Sequence, residues 1–212
     1  MHMETCDKTI KVAHIEKKTQ LLGPFDRFVI WVHGCCFDCP GCLADNTKVG
    51  EYQSLDVETL CTQIVNSDVE GITFSGGEPF LQADLLADLV EAVERKRDLG
   101  VICYSGFTLE ELQNKPEATR FLKKLDVLID GKYVRELDYE KPYVGSINQK
   151  IYYLTSRYAE SGPEYYSAGA RKAEIRLTSN QAILIGVPSK QTLQVWKTLK
   201  EKAGGVVYDF GS

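Results

Sequence analysis

Apolar positions along this chain follow two rhythms that take turns. Phe25–Val32 (FDRFVIWV), Gly71–Phe74 (GITF), Gly100–Tyr104 (GVICY) and Asp126–Asp130 (DVLID) are short, nearly solid runs of β-branched and aromatic residues. Runs of that length and density mark strands covered on both faces. Between them the spacing becomes helical. Leu55–Asn66 (LDVETLCTQIVN) and Phe80–Lys96, with its LLADLVEAV stretch, are amphipathic; a short helix starts near Thr108, and another segment ends at Phe121–Leu125. Asp56 and Glu58, Pro79, and Glu110 and Glu111 stand at predicted helix starts, where an acidic side chain or a proline suits the first turn. Residues 1–24 form a leader with one candidate strand, Ile10–Ile15, ended by Gly23-Pro24.

Strand, loop and helix thus repeat about four times through residue 130. That alternation predicts an α/β fold: a parallel sheet with crossover helices, either open or closed into a partial barrel. In both forms ligands bind at the carboxyl ends of the strands. Past Asp130 the rhythm loosens. Val144–Gln149 reads as a loop and Tyr158–Lys172 as an irregular insertion. Ala173–Thr178 and Ala182–Val187 read as a hairpin about Ser179-Asn180-Gln181. Lys190–Ala203 reads as a terminal helix capped by Gly204-Gly205, and Val206–Phe210 as a last strand.

Composition narrows the class. The 212 residues are enough for one well-buried domain with a small appendage, and 43% hydrophobic with 26% charged residues is ordinary for a globular chain. A net charge of −5 argues against nucleic acid as partner, and no apolar run has the length of a membrane span. The N-terminus lacks the apolar core of a secretory signal, so the expected compartment is cytoplasmic and the expected state of the seven cysteines is reduced.

Four of those cysteines crowd into one loop directly after the first solid run. Cys35, Cys39 and Cys42 have the spacing C-x3-C-x2-C, with Cys36 beside them. Thiolates gathered this way hold metal. Three ligands on a [4Fe–4S] cluster would leave one iron open to a substrate or cofactor. The alternatives are a structural zinc, with Cys36 or a distant His as fourth ligand, and inert thiols. His33 reads as a packing residue, and Cys61 and Cys103 as small buried hydrophobes. The other prominent residues also stand at strand ends: Ser75-Gly76-Gly77-Glu78-Pro79, Tyr104-Ser105-Gly106 and Asp130.

The cysteine triad with the downstream Ser75–Pro79 resembles the radical S-adenosylmethionine (SAM) superfamily. Five stretches narrow the resemblance: Trp31–Cys35 (WVHGC), Cys39–Cys42 (CPGC), Tyr104–Leu112 (YSGFTLEEL), Asp126–Val134 (DVLIDGKYV) and Gly145–Gln149 (GSINQ). In order and spacing they resemble the activating proteins of anaerobic ribonucleotide reductases, over about residues 10–150. The resemblance implies a partial (β/α)6-type radical SAM barrel over residues 1–150, with a C-terminal hairpin–helix extension over 151–212. It implies that Cys35, Cys39 and Cys42 ligate a [4Fe–4S] cluster. It further implies SAM contacts from Gly41, Leu43, Gly76, Gly77, Glu78, Tyr104, Ser105, Asp130 and Asn148. Reductive cleavage of SAM would yield a 5′-deoxyadenosyl radical, with a flavodoxin-like or other low-potential reductant as electron source and a glycyl-radical enzyme as protein substrate. The sequence departs from that pattern at Cys42-Leu43-Ala44, where relatives often carry an aromatic and an Asn, and in its length beyond residue 150. Two rival readings remain at this stage: radical SAM modification of a small molecule or peptide, and a zinc-binding interaction module.

Overall fold

The computed structural model describes residues 8–177, 181–202 and 206–210. Its first strand, β1 (Thr9–Thr19), runs antiparallel to β2 (Arg27–Val32) and, on its other edge, to β3 (Gln53–Asp56). The solid apolar runs then lie side by side: β2, β4 (Gly71–Gly76), β5 (Gly100–Ser105) and β6 (Val127–Asp130) are parallel neighbours. An antiparallel β7 (Lys150–Tyr153) completes a seven-stranded sheet ordered β3-β1-β2-β4-β5-β6-β7. The chain is therefore α/β, as its alternation predicts.

Burial explains the density of those runs. All six residues of β2 are buried, and successive side chains enter different layers. Phe28, Ile30 and Val32 pack with α2 (Val57–Val65), α3 (Ala83–Glu94), α4 (Leu109–Gln113) and α5 (Thr119–Leu122) on one face. Val29 and Trp31 face the other way, onto Leu22, Tyr143, Tyr158, Tyr166 and Ile185. Leu60, Ile64, Leu86 and Leu89 are fully buried on the helical side, each contributing about 1.5–3 kcal/mol. The helix starts are built as predicted: Asp56 accepts from Thr59 N, and Thr108 and Glu111 form a reciprocal capping box.

Helices α2 to α5 cover one face of the main sheet. The last third of the chain covers the other. There β8 (Ala173–Leu177), β9 (Gln181–Gly186) and β10 (Val206–Phe210) form a small sheet, with α7 (Lys190–Lys202) linking the parallel pair β9 and β10. Ile183 and Ile185 point to the main sheet, while Ala182 and Leu184 meet the buried Trp196 of α7.

The sequence pattern misses several short elements, among them a four-residue helix at Asn46–Val49. β3 (QSLD) and β7 (KIYY) are four-residue edge strands without a solid apolar run, held by pairing with distant strands. The stretch read as an irregular insertion contains α6 (Gly162–Ser167), anchored by Tyr166 at 2% exposure. The region expected to be helical from Phe80 opens as a 3-10 turn, Pro79–Gln82. Ser179-Asn180, Gly204-Gly205 and Cys6 lie outside the described residues.

Candidate cluster and cofactor site

β2 ends at Val32 and releases the chain into the cysteine loop. Gly34 N donates to Thr47 O at 2.9 Å, so the short helix α1 (Asn46–Val49) closes the far side of the loop. The loop is then joined to β4. Gly77 N donates to Val32 O at 2.9 Å, and Glu78 N to Gly34 O at 2.8 Å. A Cβ at Gly77 would lie 1.9 Å from Gly34 O, and one at Gly76, whose φ is +101°, would lie 2.7 Å from Val32 N and O. Both glycines are required by the approach of the chain's own backbone. The sequence reading gave that room to a ligand; the first claimant is the root of the cysteine loop.

A cavity opens between these loops at the carboxyl ends of the parallel strands. Cys35, Cys39 and Cys42 line it, together with Leu43, Gly76, Gly77, Glu78, Tyr104 and Ser105. Cys36 is exposed and is not part of the wall. The topology therefore divides four adjacent thiols into three that share a cavity and one that does not. Cys61 and Cys103 are buried, and His33 stacks on Tyr52 with ring centroids 4.4 Å apart.

Three residues of the sequence-based set are not on this wall. Gly41, with φ +81°, turns the loop beneath the Arg135 side chain, whose Nη2 would lie 2.6 Å from a Cβ there. Asp130 is 3% exposed at the end of β6, and its carboxylate is engaged: Oδ2 accepts from Leu109 N at 2.6 Å and Oδ1 from Lys150 N at 3.3 Å. It starts α4 and ties β7 down. Asn148 is exposed and donates to Lys132 O at 2.9 Å. Both face a neighbouring groove. In their place the wall includes Phe37, Lys48, Lys132, Tyr133 and Gln149. Lys132, Tyr133 and Gln149 fall within the stretches Asp126–Val134 and Gly145–Gln149 that carry the resemblance, whereas Phe37 and Lys48 are marked only by nearness to the cysteines.

Glu78 is a strut. It is fully buried; Oε1 accepts from Phe80 N at 3.0 Å and Ser105 Oγ at 2.9 Å, and Oε2 from Gly106 N at 2.8 Å. One carboxylate thus locks the end of β4 to the end of β5. Burial pushes its pKa up to about 7, against the pull of those hydrogen bonds. Burial also pushes the Cys35 thiol up to about 11 and raises Cys42. Bare, these thiols keep their protons; a bound cationic metal centre would displace them.

This donor set fits an iron–sulfur cluster with an open position. Three cysteine side chains line one cavity wall, the number that would leave one iron of a cubane without a protein ligand. The space beside the thiols is walled by backbone glycines, the Tyr104 ring and Ser105, which suits an adenosyl and amino-acid ligand.

Comparison with known proteins agrees. The family described as a 4Fe-4S single cluster domain matches residues 21–152. A curated relative from Escherichia coli (strain K12) is 32% identical over 146 residues, 62% of this chain and 91% of its own length. One from Vibrio cholerae is 31% identical over 144 residues (63% and 91%), and one from Enterobacteria phage T4 is 30% identical over 137 residues (61% and 85%). Each is named anaerobic ribonucleoside-triphosphate reductase-activating protein. The chain belongs to the single-cluster 4Fe-4S family and, within it, to the radical SAM activating proteins that these relatives represent. It is an enzyme, and its cofactors are a [4Fe–4S] cluster and SAM.

Proposed function

We propose that this chain reductively cleaves SAM at a [4Fe–4S] cluster and installs a glycyl radical on an anaerobic ribonucleotide reductase. The observation that carries this reading is the sorting of the thiols: Cys35, Cys39 and Cys42 share a cavity with Gly76, Gly77, Tyr104 and Ser105, and Cys36 does not. The three cysteines hold the cluster. Leu43, Gly76, Gly77, Tyr104 and Ser105 hold SAM, and Glu78 keeps the two strand ends in place around it. Gly41 shapes the loop from outside the wall, and Asp130 and Asn148 brace the neighbouring turn. When bound, the reduced cluster and SAM supply a 5′-deoxyadenosyl radical that takes a hydrogen atom from a backbone glycine; the protein binds, orients and excludes water.

The scaffold is a partial radical SAM barrel over residues 1–150, extended by 151–212. Helices α2 to α5 on one face, with the opposite face closed largely by the chain's own last third, support that division. Among the described residues no helix is long and apolar enough to cross a membrane. We place the enzyme in the cytoplasm, with a flavodoxin-like or other low-potential protein as its reductant.

The test is anaerobic reconstitution with iron and sulfide, followed by SAM, reductant and the reductase. Absorbance near about 400 nm, 5′-deoxyadenosine, and a glycyl EPR signal in the reductase are expected together. Zinc uptake without cluster formation would refute the enzyme chemistry. Cleavage of SAM with no signal in the reductase would redirect the radical to a different acceptor.

A further inference from the structure

The loop from Gly131 to Gln149 supplies the wall of the cavity opposite β4, through Gly131, Lys132, Tyr133 and Gln149. It contains little regular structure: one short turn, Arg135–Leu137. Two of its non-glycine residues, Glu140 and Tyr143, have φ values of 58° and 60°, in the left-handed region. Such backbone persists only where the surroundings over-determine it. The surroundings here come largely from the extension: Tyr165 and Tyr166 pack on Tyr143, Lys190 N donates to Glu140 Oε1 at 2.6 Å, and the Arg171 side chain holds the backbone between and beside them.

The Arg171 side chain is 2% exposed, and it grips the loop at several points. Its Nη2 lies 2.7 Å from Asp138 Oδ1, and Asp138 is 9% exposed. Nη2 also donates to Val144 O at 2.9 Å and Gly145 O at 2.8 Å, and Nε donates to Lys141 O at 3.2 Å. Nη1 donates to Pro188 O at 3.3 Å, which ties the same guanidinium to the extension. The grip reaches the cavity by two short routes. Gly145 N and Ser146 N donate to Gln149 Oε1, and Gln149 Nε2 donates to Gly131 O. Tyr133 packs on Gly145, where a Cβ would lie 2.8 Å from its ring, and its hydroxyl meets Asp138 Oδ2 at 3.4 Å. A planar fork can serve a carboxylate and several carbonyls at once; an ammonium cannot.

We propose that Arg171 is a positioning residue for SAM: through Asp138 and the Val144–Gly145 carbonyls it sets the Tyr133 and Gln149 wall of the cofactor cavity. This assigns the extension a part in building the site, and it rests on the reading of that cavity as the SAM site. A purely structural Arg171 would only fasten the extension to the core.

The test uses the full chain with Arg171→Lys, which keeps the charge and loses the fork. In the cluster-free protein, hydrogen exchange should accelerate across residues 132–147 and stay unchanged in β2, β4 and β5. After reconstitution, iron content should match the parent, while SAM affinity, read from the change SAM makes in the cluster EPR spectrum, falls by roughly 10-fold or more, the scale on which outer partners of a site act. A variant with a lowered melting temperature but parental SAM affinity would overturn the proposal. If Arg171→Lys fails to fold, the neutral pair Arg171→Met with Asp138→Asn removes the buried charges together, and the same loss of SAM affinity is expected. If the parent forms a cluster but binds no SAM, the reading of the cavity fails. The exchange experiment then still decides whether Arg171 holds the loop.

Discussion

The same four parallel strands end in opposite kinds of chemistry. At their carboxyl ends the loops leave thiols, glycine backbone and an aromatic ring around open space. At their amino ends everything closes on Arg27. Its side chain is fully buried: Nη1 donates to Glu70 at 2.7 Å and Tyr158 Oη at 2.6 Å, Nη2 to Ile72 O and Gly100 O, and Nε to Thr73 Oγ1. Glycine serves both ends for the same steric reason. Arg27, Gly71 and Gly100 lie in one row across β2, β4 and β5. A Cβ at Gly71 would lie 2.2 Å from Arg27 Nη1, and one at Gly100 would lie 1.9 Å from Tyr158 Oη. Saturated partners make the foot a structural plug. Thiols that face open space make the mouth a candidate site.

If that division is right, function and stability separate by location, and Cys39→Ala gives the largest effect. It leaves two protein ligands, so iron content and SAM cleavage fall to background. Cluster-free stability, measured by urea unfolding under reducing conditions, should change by no more than about 0.5 kcal/mol. Cys36→Ala should retain cluster and cleavage. Equal behaviour of the two variants would dissolve the distinction that the cavity draws between those thiols.

Arg27→Met should do the reverse. It leaves Glu70, the Tyr158 hydroxyl and two backbone carbonyls without their shared donor. Breaking one partner of such a buried network costs about 3–5 kcal/mol. The folded fraction should still take up iron and cleave SAM at the parental rate per cluster. Loss of cleavage in a variant that remains folded would show that the foot shapes the mouth.

The two ends also differ in how far they could be read beforehand. Strand order and the position of the cysteine loop follow from solid apolar runs and spacing, because local pattern decides them. Arg27 sits inside one of those runs, yet nothing in FDRFVIWV reveals that its partners come from Glu70 and Tyr158. Gly76-Gly77 is legible as a close approach, but not what approaches: Val32 and Gly34 come first. Asp130 is legible as a strand-end carboxylate, and the resemblance implies that it faces the cavity. Its oxygens accept from Leu109 N at the start of α4 and from Lys150 N of β7, partners that the pattern does not show. Tyr133 and Gln149 reach the wall only through a loop whose course depends on residue 171. Periodicity carries no information about partners this distant.

A smaller effect tests the plug in detail. Gly100→Ala should push the Tyr158 hydroxyl away from Arg27 and cost about 1–3 kcal/mol by overpacking. Tyr158→Ala is destabilising in its own right, but adding Gly100→Ala to it should cost much less than Gly100→Ala alone. A double-mutant cycle with a coupling of about 0.5 kcal/mol or more would confirm the contact. Additive effects would mean that the glycine serves only the backbone of β5.

The finest distinction is in the pH dependence of the cluster-free protein. Burial holds the Glu78 pKa up at about 7 against a reference of 4.5, so the native state keeps a proton that the unfolded chain releases. Its contribution is fully present below about pH 4.5 and is lost as pH rises to about 7. His14, on β1 against Trp31, has the opposite sign. Burial, with Arg176 nearby, lowers its pKa from 6.5 to about 4, so the native state refuses a proton that the unfolded chain accepts. Its contribution is present above about pH 6.5 and is lost as pH falls to about 4. Between about pH 4.5 and 6.5 the two slopes oppose, and the parent should show a shallow profile. Glu78→Gln keeps one acceptor oxygen: with its amide nitrogen donating to Ser105 Oγ it accepts from Gly106 N and loses the bond from Phe80 N, a loss that does not vary with pH. It should expose the His14 slope, with stability rising through that window. His14→Gln should expose the Glu78 slope, with stability falling through it. Urea midpoints at a few pH values suffice. Parallel profiles for the two variants would mean that the strut at the mouth ionises as freely in the folded protein as in the unfolded chain.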